Sequence, residues 1–521
     1  MITAPTVHEH LLARADDDRP GLLAGDSAWS WREVVRESGV HGAAMSSLLP
    51  AGHPPHVGVL LENTPEFLFL LGGAALAGQV VVGLNHTRRG SALAADVRRS
   101  DVQVIVTDET LAPLLDGLDL GVPVLLTGSP EWHTLLAAHP SPPPPSTTPA
   151  PDDLLMLIFT SGTSGEPKAV NVTHEKIAHP GQFLSERFGL SPDDVAYLSM
   201  PLFHSNAIMA GWAPALAVGA TVGLAPRFSA SGFLPDVRRY GATYANYVGK
   251  PLAYVMATET RADDADNPLR LVFGNEANER DIEGFGARFG CTVIDSYSST
   301  ENAVIVQRVP GMPPGSLGRP VDGVAVLDPA TGRPTPDALF DDDGRLLNAE
   351  AATGELVNTE GSGAFAGYYR DEDAEAERMR GGMYWSGDLA YRDAAGFVYF
   401  AGRIADWLRV DGENLAAAPV ERILLRHPAV SEAAVYGVPD PTGGDQVVAA
   451  LLLRGALTPG ALGDFLAEQE DLSPKAWPRS VRILDDLPRT ATNKVLKRAL
   501  PETGGGTTWE RAARGTTYAP R

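Results

Sequence analysis

The sequence predicts an α/β protein: a large N-terminal α/β part with layered sheets, followed by a small α+β domain. Two observations carry this. Short apolar runs alternate with helical stretches through the first several hundred residues, the pattern of parallel strands joined by crossover helices. After about residue 400 the texture changes to a short series of helices and strands that forms a unit of its own. The length, 521 residues, allows both parts a core.

The runs Val57–Leu61, Val80–Leu84, Val102–Thr107 and Pro123–Thr127 read as buried strands, with helices at Glu66–Ala77 and Ser91–Arg99 between them. The most apolar stretch, Phe67 to Leu84, is broken by Gly72, Gly73, Gly78 and Gln79, so it reads as a buried helix followed by a strand and not as a membrane span. Ser141–Pro151 is too proline-rich for helix or central strand and reads as a stiff surface connector. Strands are expected at Leu154–Phe159, Val195–Met200, Ala220–Leu224, Leu269–Phe273 and Thr292–Asp295. In the C-terminal part, helices are expected at Val420–His427, Pro459–Gln469 and Lys494–Leu500. Strands are expected there at Ser431–Val438, Gln446–Leu453 and Ser480–Leu484. The chain from Gly504 onward reads as a mobile tail.

The chain carries 42 Lys and Arg against 65 Asp and Glu, a net charge of −23. No domain-sized basic surface is expected, which argues against nucleic acid and anionic lipid as partners. The single cysteine, Cys291, excludes an intrachain disulfide and reads as a buried strand residue in a reducing compartment. The N-terminus lacks a basic region followed by an apolar one, so a cytoplasmic location is expected.

Thr160-Ser161-Gly162-Thr163-Ser164-Gly165-Glu166-Pro167-Lys168 follows a buried strand. Glycines let backbone approach a polyphosphate, hydroxyls and N–H groups donate to its oxygens, and Lys168 adds charge. The spacing is not that of the P-loop NTPases. Taken alone, the run fits a phosphate cradle and a flexible polar turn equally.

The run resembles the phosphate-binding loop of the adenylate-forming superfamily, which holds acyl-CoA synthetases, aryl-acid ligases, peptide-synthetase adenylation domains and luciferases. Further segments resemble that superfamily's signatures in order. Pro201-Leu202-Phe203-His204 is similar to the segment that sets an aromatic or His beside the acid pocket, and Gly274-Asn275-Glu276-Ala277 to the one lining adenine. Asp295-Ser296-Tyr297-Ser298-Ser299-Thr300-Glu301 is similar to the segment in which Tyr stacks on adenine, Thr meets the α-phosphate and Glu ligates Mg²⁺. Ser386-Gly387-Asp388 resembles the ribose-binding turn, and Gly402-Arg403-Ile404-Ala405-Asp406 the hinge between domains. Leu487–Lys494 resembles the loop of the catalytic lysine, here Lys494. The resemblance covers about residues 10 to 500, and Gly274–Cys291 and Asn493-Lys494 look most like actinobacterial fatty-acyl-CoA ligases and the fatty-acid transport protein branch.

The resemblance implies an acyl-CoA synthetase-like fold. Residues 1–403 would form the ATP- and acid-binding domain, 404–503 a mobile lid carrying Lys494, and 504–521 the tail. It implies ATP and Mg²⁺, with Glu301 and Thr163 as metal ligands, and catalytic roles for Lys494, Thr300, Glu301 and His204. Nucleotide contacts are implied for Thr160, Ser161, Gly162, Thr163, Ser164, Gly165, Lys168, Gly274, Asn275, Glu276, Asp295, Ser296, Tyr297, Ser298, Thr300, Asp388, Arg403 and Lys494. CoA is the leading acceptor, with another thiol or an amine as the alternative, and a homodimer is an allowed assembly.

Three departures from the family pattern shape the expected substrate. Ser298 stands where Gly is usual, Asn302 where a small residue is common, and Ala405 where the hinge usually carries Asp or Lys. Polar side chains near the floor of an acid pocket beside His204 reduce its volume and penalise an alkyl chain that leaves them unpaired. The expected acid is therefore small and polar or aromatic. The rival readings are a nitrite-adenylating, N–N bond-forming relative acting on an aryl amine, and a nucleotide-binding paralogue without turnover. The second would be expected to lack Glu301 or Lys494, and both are present.

Overall fold

The computed structural model describes residues 4–140, 148–160, 167–277, 279–341, 346–403, 407–410, 413–439, 445–469, 472, 476–490, 495–511 and 515–521. The chain divides into two compact units: Met1–Asn302 with Ala364–Ala376, and Ala303–Gly363 with Glu377–Arg521.

The first unit holds strands β1 (Pro20–Ala24), β2 (Ser27–Ser30), β3 (His56–Leu60), β4 (Val80–Gly83), β5 (Val104–Thr107) and β6 (Val124–Leu126). They are followed by β7 (Leu154–Thr160), β8 (Lys168–Thr173), β9 (Val195–Leu198), β10 (Thr221–Leu224), β11 (Tyr244–Val248), β12 (Leu271–Asn275) and β13 (Thr292–Tyr297). One sheet runs β6-β5-β3-β4-β7-β8, parallel except for the antiparallel edge strand β8. Within this unit a second sheet runs β13-β12-β11-β9-β10-β1-β2, parallel except for β2. Strands β3, β4 and β5 are buried along their whole length, which is why they read as unbroken apolar runs.

Between strands β2 and β4 the helices Trp31–Ser46 and Pro65–Ala77 cross closely. A Cβ on Gly42 would lie 2.6 Å from the Gly73 carbonyl oxygen, so the crossing requires glycine. Ser30 and Glu33 close a capping box on the first of these helices. No described helix is long and apolar enough to cross a membrane.

In the second unit, β14 (Val306–Gln307) pairs with β15 (Arg319–Pro320). A further sheet holds β16 (Val324–Leu327), β17 (Gly354–Asn358), β18 (Met379–Arg380), β19 (Met383–Arg392) and β20 (Val398–Arg403), ordered β16-β17-β19-β18 with β20 on β19. The hairpin β21 (Trp407–Val410) with β22 (Glu413–Ala416) follows. The last sheet orders β23 (Val430–Pro439), β24 (Asp445–Leu453), β25 (Ser480–Ile483), β26 (Thr507–Arg511) and β27 (Tyr518–Pro520). Helices Ala417–Arg426 and Pro459–Ala467 pack with it around Val435, Leu451, Leu462 and Trp477.

Three expectations change. The helix expected over Lys494–Leu500 is a single 3₁₀ turn, Lys497–Ala499, with Pro501 directly after Leu500 to stop it. The expected mobile tail supplies β26 and β27, and Trp509 and Tyr518 join the C-terminal core. Cys291 lies one residue before β13 and not inside it; burial pushes its thiol up to about 12.

Candidate active site

In the first unit Glu301 is 8% exposed, and its Oε1 accepts a hydrogen bond from Tyr368 Oη at 2.8 Å. The Tyr368 ring carries Lys168 on its face, with Nζ 5.3 Å from the centroid. Lys168 is buried as the first residue of β8. Lys176, in the first turn of helix His174–Phe188, is also buried. Burial pulls its pKa down to about 8, against a raising effect from the Glu301 carboxylate. A carboxylate and two lysines therefore gather below the turn that follows β13.

Thr300 opposes Ser205, with Oγ1 and Oγ 3.0 Å apart, so the turn is tied to the segment carrying His204. That segment is pinned from below by the buried Asn63. Its Nδ2 donates to the carbonyls of Met200 (3.0 Å) and Ala225 (3.2 Å), and its Oδ1 accepts from Leu202 N (3.0 Å). His204 packs on Phe203 with ring centroids 4.5 Å apart. A π-helical turn, Ala207–Trp212, follows directly, a distortion common beside functional sites.

The segments at the ends of β12 and β13 are locked together. Asn275 Nδ2 donates to Ser296 O (2.8 Å) and Oγ (3.1 Å). Asp295 is buried, and its Oδ2 accepts from Tyr247 Oη (2.6 Å) and from Ala277 N (3.0 Å). These bonds give Asp295 a structural role in fixing the 274–277 segment. A Cβ on Gly274 would lie 2.2 Å from Tyr247 O, so glycine is needed for this approach. Glu276 and Asn302 adopt φ of 69° and 54°, the left-handed region that Asn tolerates better than most residues. Ser298 is not among the positive-φ residues, so it stands where Gly is usual without backbone strain. Its Oγ donates to Asn302 Oδ1 at 2.7 Å, so the two polar departures satisfy each other in part. Tyr297 ends β13 and is half-buried.

In the second unit Asp388 and Arg403 are Cα partners on the antiparallel strands β19 and β20. Ser386 Oγ donates to Leu356 O at 2.6 Å, and Asp388 N donates to Ser386 Oγ at 3.1 Å. Ser161, Gly162, Thr163, Ser164, Gly165, Ala405 and Lys494 lie outside the described residues; Thr160 ends β7 just before the first five.

The structure thus brings Lys168, Glu301, Thr300, His204, Asn275, Ser296, Ser298 and Asn302 into linked neighbourhoods of one unit. Sequence reading missed Asn63, Lys176, Ser205, Tyr247 and Tyr368. Each of these acts through a partner more than thirty residues away. Only the Tyr-Tyr pair after Gly367 and the Asn-Thr-Pro helix start gave any local signal.

Among the described residues no group of three or more His, Cys, Asp or Glu forms a metal cage. One buried carboxylate with hydroxyls nearby is a hard-oxygen set that fits Mg²⁺ held mainly by phosphate and water.

The model of the AMP-binding enzyme family matches residues 10–369, and that of the AMP-binding enzyme C-terminal domain matches residues 419–494. The chain belongs to the AMP-binding enzyme family. Within it, the chain is an AMP-forming acid ligase of the acyl-CoA synthetase kind. It is 51% identical to a medium/long-chain-fatty-acid–CoA ligase of Mycobacterium marinum, over 97% of both chains. It is also 51% identical to a steroid-22-oyl-CoA synthetase of Rhodococcus jostii, over 95% of this chain and 91% of that one. The o-succinylbenzoate CoA synthetase of Bacillus subtilis, solved with its acyl-adenylate, superposes with a TM-score of 0.76 at 25% identity, covering 95% and 98% of the two chains. A benzoate CoA ligase of Burkholderia xenovorans shares the fold, with a TM-score of 0.78 at 22% identity over 95% and 99%.

Proposed function

We propose that this chain adenylates a carboxylic acid with Mg·ATP and passes the acyl group to CoA, and that the acid has a large apolar body. The observation carrying this is the 51% identity, over nearly the full length, to two ligases named for a medium- or long-chain fatty acid and for a steroid-22-oyl group. The mutual hydrogen bond of Ser298 and Asn302 agrees with it, because a paired hydroxyl does not demand a polar substrate. A second reading, a small polar or aromatic acid, is favoured by the remaining amide of Asn302 in the same half-buried turn.

The roles follow from the chemistry of each group. Backbone and hydroxyls of Thr160–Gly165 hold the phosphates. Glu301, oriented by Tyr368, is the carboxylate that would hold Mg²⁺, with Thr163 beside it. When bound, the metal spreads charge over the phosphate oxygens. Thr300 donates to the α-phosphate, and Tyr297 with the Gly274–Glu276 segment takes the adenine. Asp388 reads the ribose hydroxyls, with Arg403 on the neighbouring strand. His204 flanks the acid. The carboxylate oxygen attacks the α-phosphorus and pyrophosphate leaves; Lys494 neutralises the charge that develops. The CoA thiol then attacks the acyl carbon and AMP departs. Residues 404–503 serve as the moving lid, with Ala405 at its hinge.

The test is pyrophosphate release with Mg·ATP across medium and long fatty acids, steroid acids, benzoates, amino-substituted aryl acids and nitrite, each with and without CoA. Release confined to the large apolar acids supports the first reading. Release confined to benzoates moves the chain to the second, and release with nitrite alone would sink both.

A further inference from the structure

Strands β17 and β19 do not pair evenly. Glu355 faces Leu389 and Val357 faces Trp385, so Leu356 alone stands opposite three residues, Ser386, Gly387 and Asp388. This is a bulge with two extra residues, and it falls on the turn carrying Asp388. A bulge removes ladder partners from the amides it contains, and a buried amide without an acceptor is costly.

The neighbouring strand supplies replacements. Ser386 bonds to the Leu356 carbonyl through its side chain, and Gly387 N donates to Glu355 Oε1 at 2.7 Å. Glu355 is 1% exposed. Its second oxygen, Oε2, meets Arg380 Nη2 at 2.7 Å, and the Arg380 guanidinium lies 4.1 Å from the centroid of Trp385. Trp385 in turn donates Nε1 to Arg380 O at 3.2 Å. Gly387 itself has φ of 75°, which glycine adopts without penalty. A fully buried carboxylate in a strand centre is expensive unless paired and hydrogen-bonded. Here one oxygen takes the guanidinium and the other takes the amide of the residue before Asp388. Nothing else in the proposed chemistry uses Glu355.

We infer that Glu355 is a positioning residue, which holds the Ser386–Asp388 bulge so that the Asp388 carboxylate meets the ribose hydroxyls of the nucleotide in one fixed orientation. This rests on the reading of Asp388 as the ribose ligand. Arg380 pairs with the Glu355 carboxylate and is itself anchored on Trp385. Loss of the Glu355 carboxylate releases the Gly387 amide, the bulge relaxes, and the aspartate loses its aim while the nucleotide's phosphate and base contacts stay.

The experiment measures the dissociation constants of ATP, 2′-deoxy-ATP and 3′-deoxy-ATP by calorimetry for the wild-type chain, Asp388→Ala, Glu355→Ala and Glu355→Gln. The quantity read is the preference for ATP over each deoxy nucleotide, a ratio that does not depend on how much of the sample is folded. Asp388→Ala is expected to lower the preference about tenfold, the effect of one charged hydrogen bond. Glu355→Ala is expected to lower it several-fold in the same direction. Glu355→Gln, whose amide oxygen still accepts from Gly387, is expected to retain most of it. If Glu355→Ala yields no folded protein, Glu355→Asp, whose shortened side chain falls short of the amide, is read in its place. An unchanged preference in Glu355→Ala beside a reduced one in Asp388→Ala overturns the inference and leaves the ribose reading standing. An unchanged preference in Asp388→Ala overturns the ribose reading, and the inference with it.

Discussion

Tyr368 Oη donates a hydrogen bond to Oε1 of Glu301 at 2.8 Å, across 67 residues of sequence, while its ring lies under the Lys168 ammonium. In the proposed function Glu301 would share Mg²⁺ with phosphate oxygens, and this bond would give the carboxylate one preferred orientation. Tyr368→Phe keeps the ring and removes the bond. The KM for Mg²⁺ is expected to rise about tenfold, in line with roughly 1.5 kcal/mol for a hydrogen bond to a charged group. A Mg²⁺ titration at saturating ATP checks it, and an unchanged KM would detach Tyr368 from Glu301's function.

Lys494→Ala is expected to lower the rate of pyrophosphate release by about 10²–10³-fold, the usual loss of one donor to transition-state charge. Single-turnover kinetics of adenylation measure it directly. Normal release by this variant would remove Lys494 from the mechanism.

Asn63 is an architectural post for the His204 segment, with three buried hydrogen bonds to Met200, Leu202 and Ala225. Asn63→Ala leaves a backbone amide and two carbonyls short of a partner. The expected loss of stability is about 3 kcal/mol, read as a lower urea midpoint. A loss near zero would show that the segment is held by other contacts.

Acid should weaken the first unit. Burial lowers the pKa of His41 and of His174 to about 4. The unfolded chain binds these protons near pH 6.5 while the folded chain does not, so stability falls as pH drops from about 6.5 toward 4. By pH 5 each contributes a loss of roughly 2 kcal/mol. His174→Gln is expected to flatten the fall in urea midpoint between pH 7 and pH 5; an equally steep fall would assign it to other groups.

The parallel strands were legible because burial on both faces writes unbroken apolar runs such as Val80–Val82 and Leu154–Ile158. The strand Tyr244–Val248 was not, because its Asn246 and two tyrosines serve buried hydrogen bonds and break the run. The sheet of β16–β20 was hidden by short strands and by the bulge at Ser386–Asp388. The final strands were missed because glycines and charges around Trp509 and Tyr518 imitate a free tail. At the candidate site, the motif residues stand out in the sequence where glycines and hydroxyls cluster behind an expected strand. Their supports were not, since Asn63, Tyr368 and Glu355 reach their partners only through the fold.

The most direct test of the account follows AMP, pyrophosphate and thioester together in one reaction containing Mg·ATP, a long-chain fatty acid or a steroid acid, and CoA. The account predicts equal amounts of AMP and pyrophosphate, with thioester formed only when CoA is present. Formation of ADP and phosphate, or of AMP with no thioester for any acid in the presence of CoA, would contradict it.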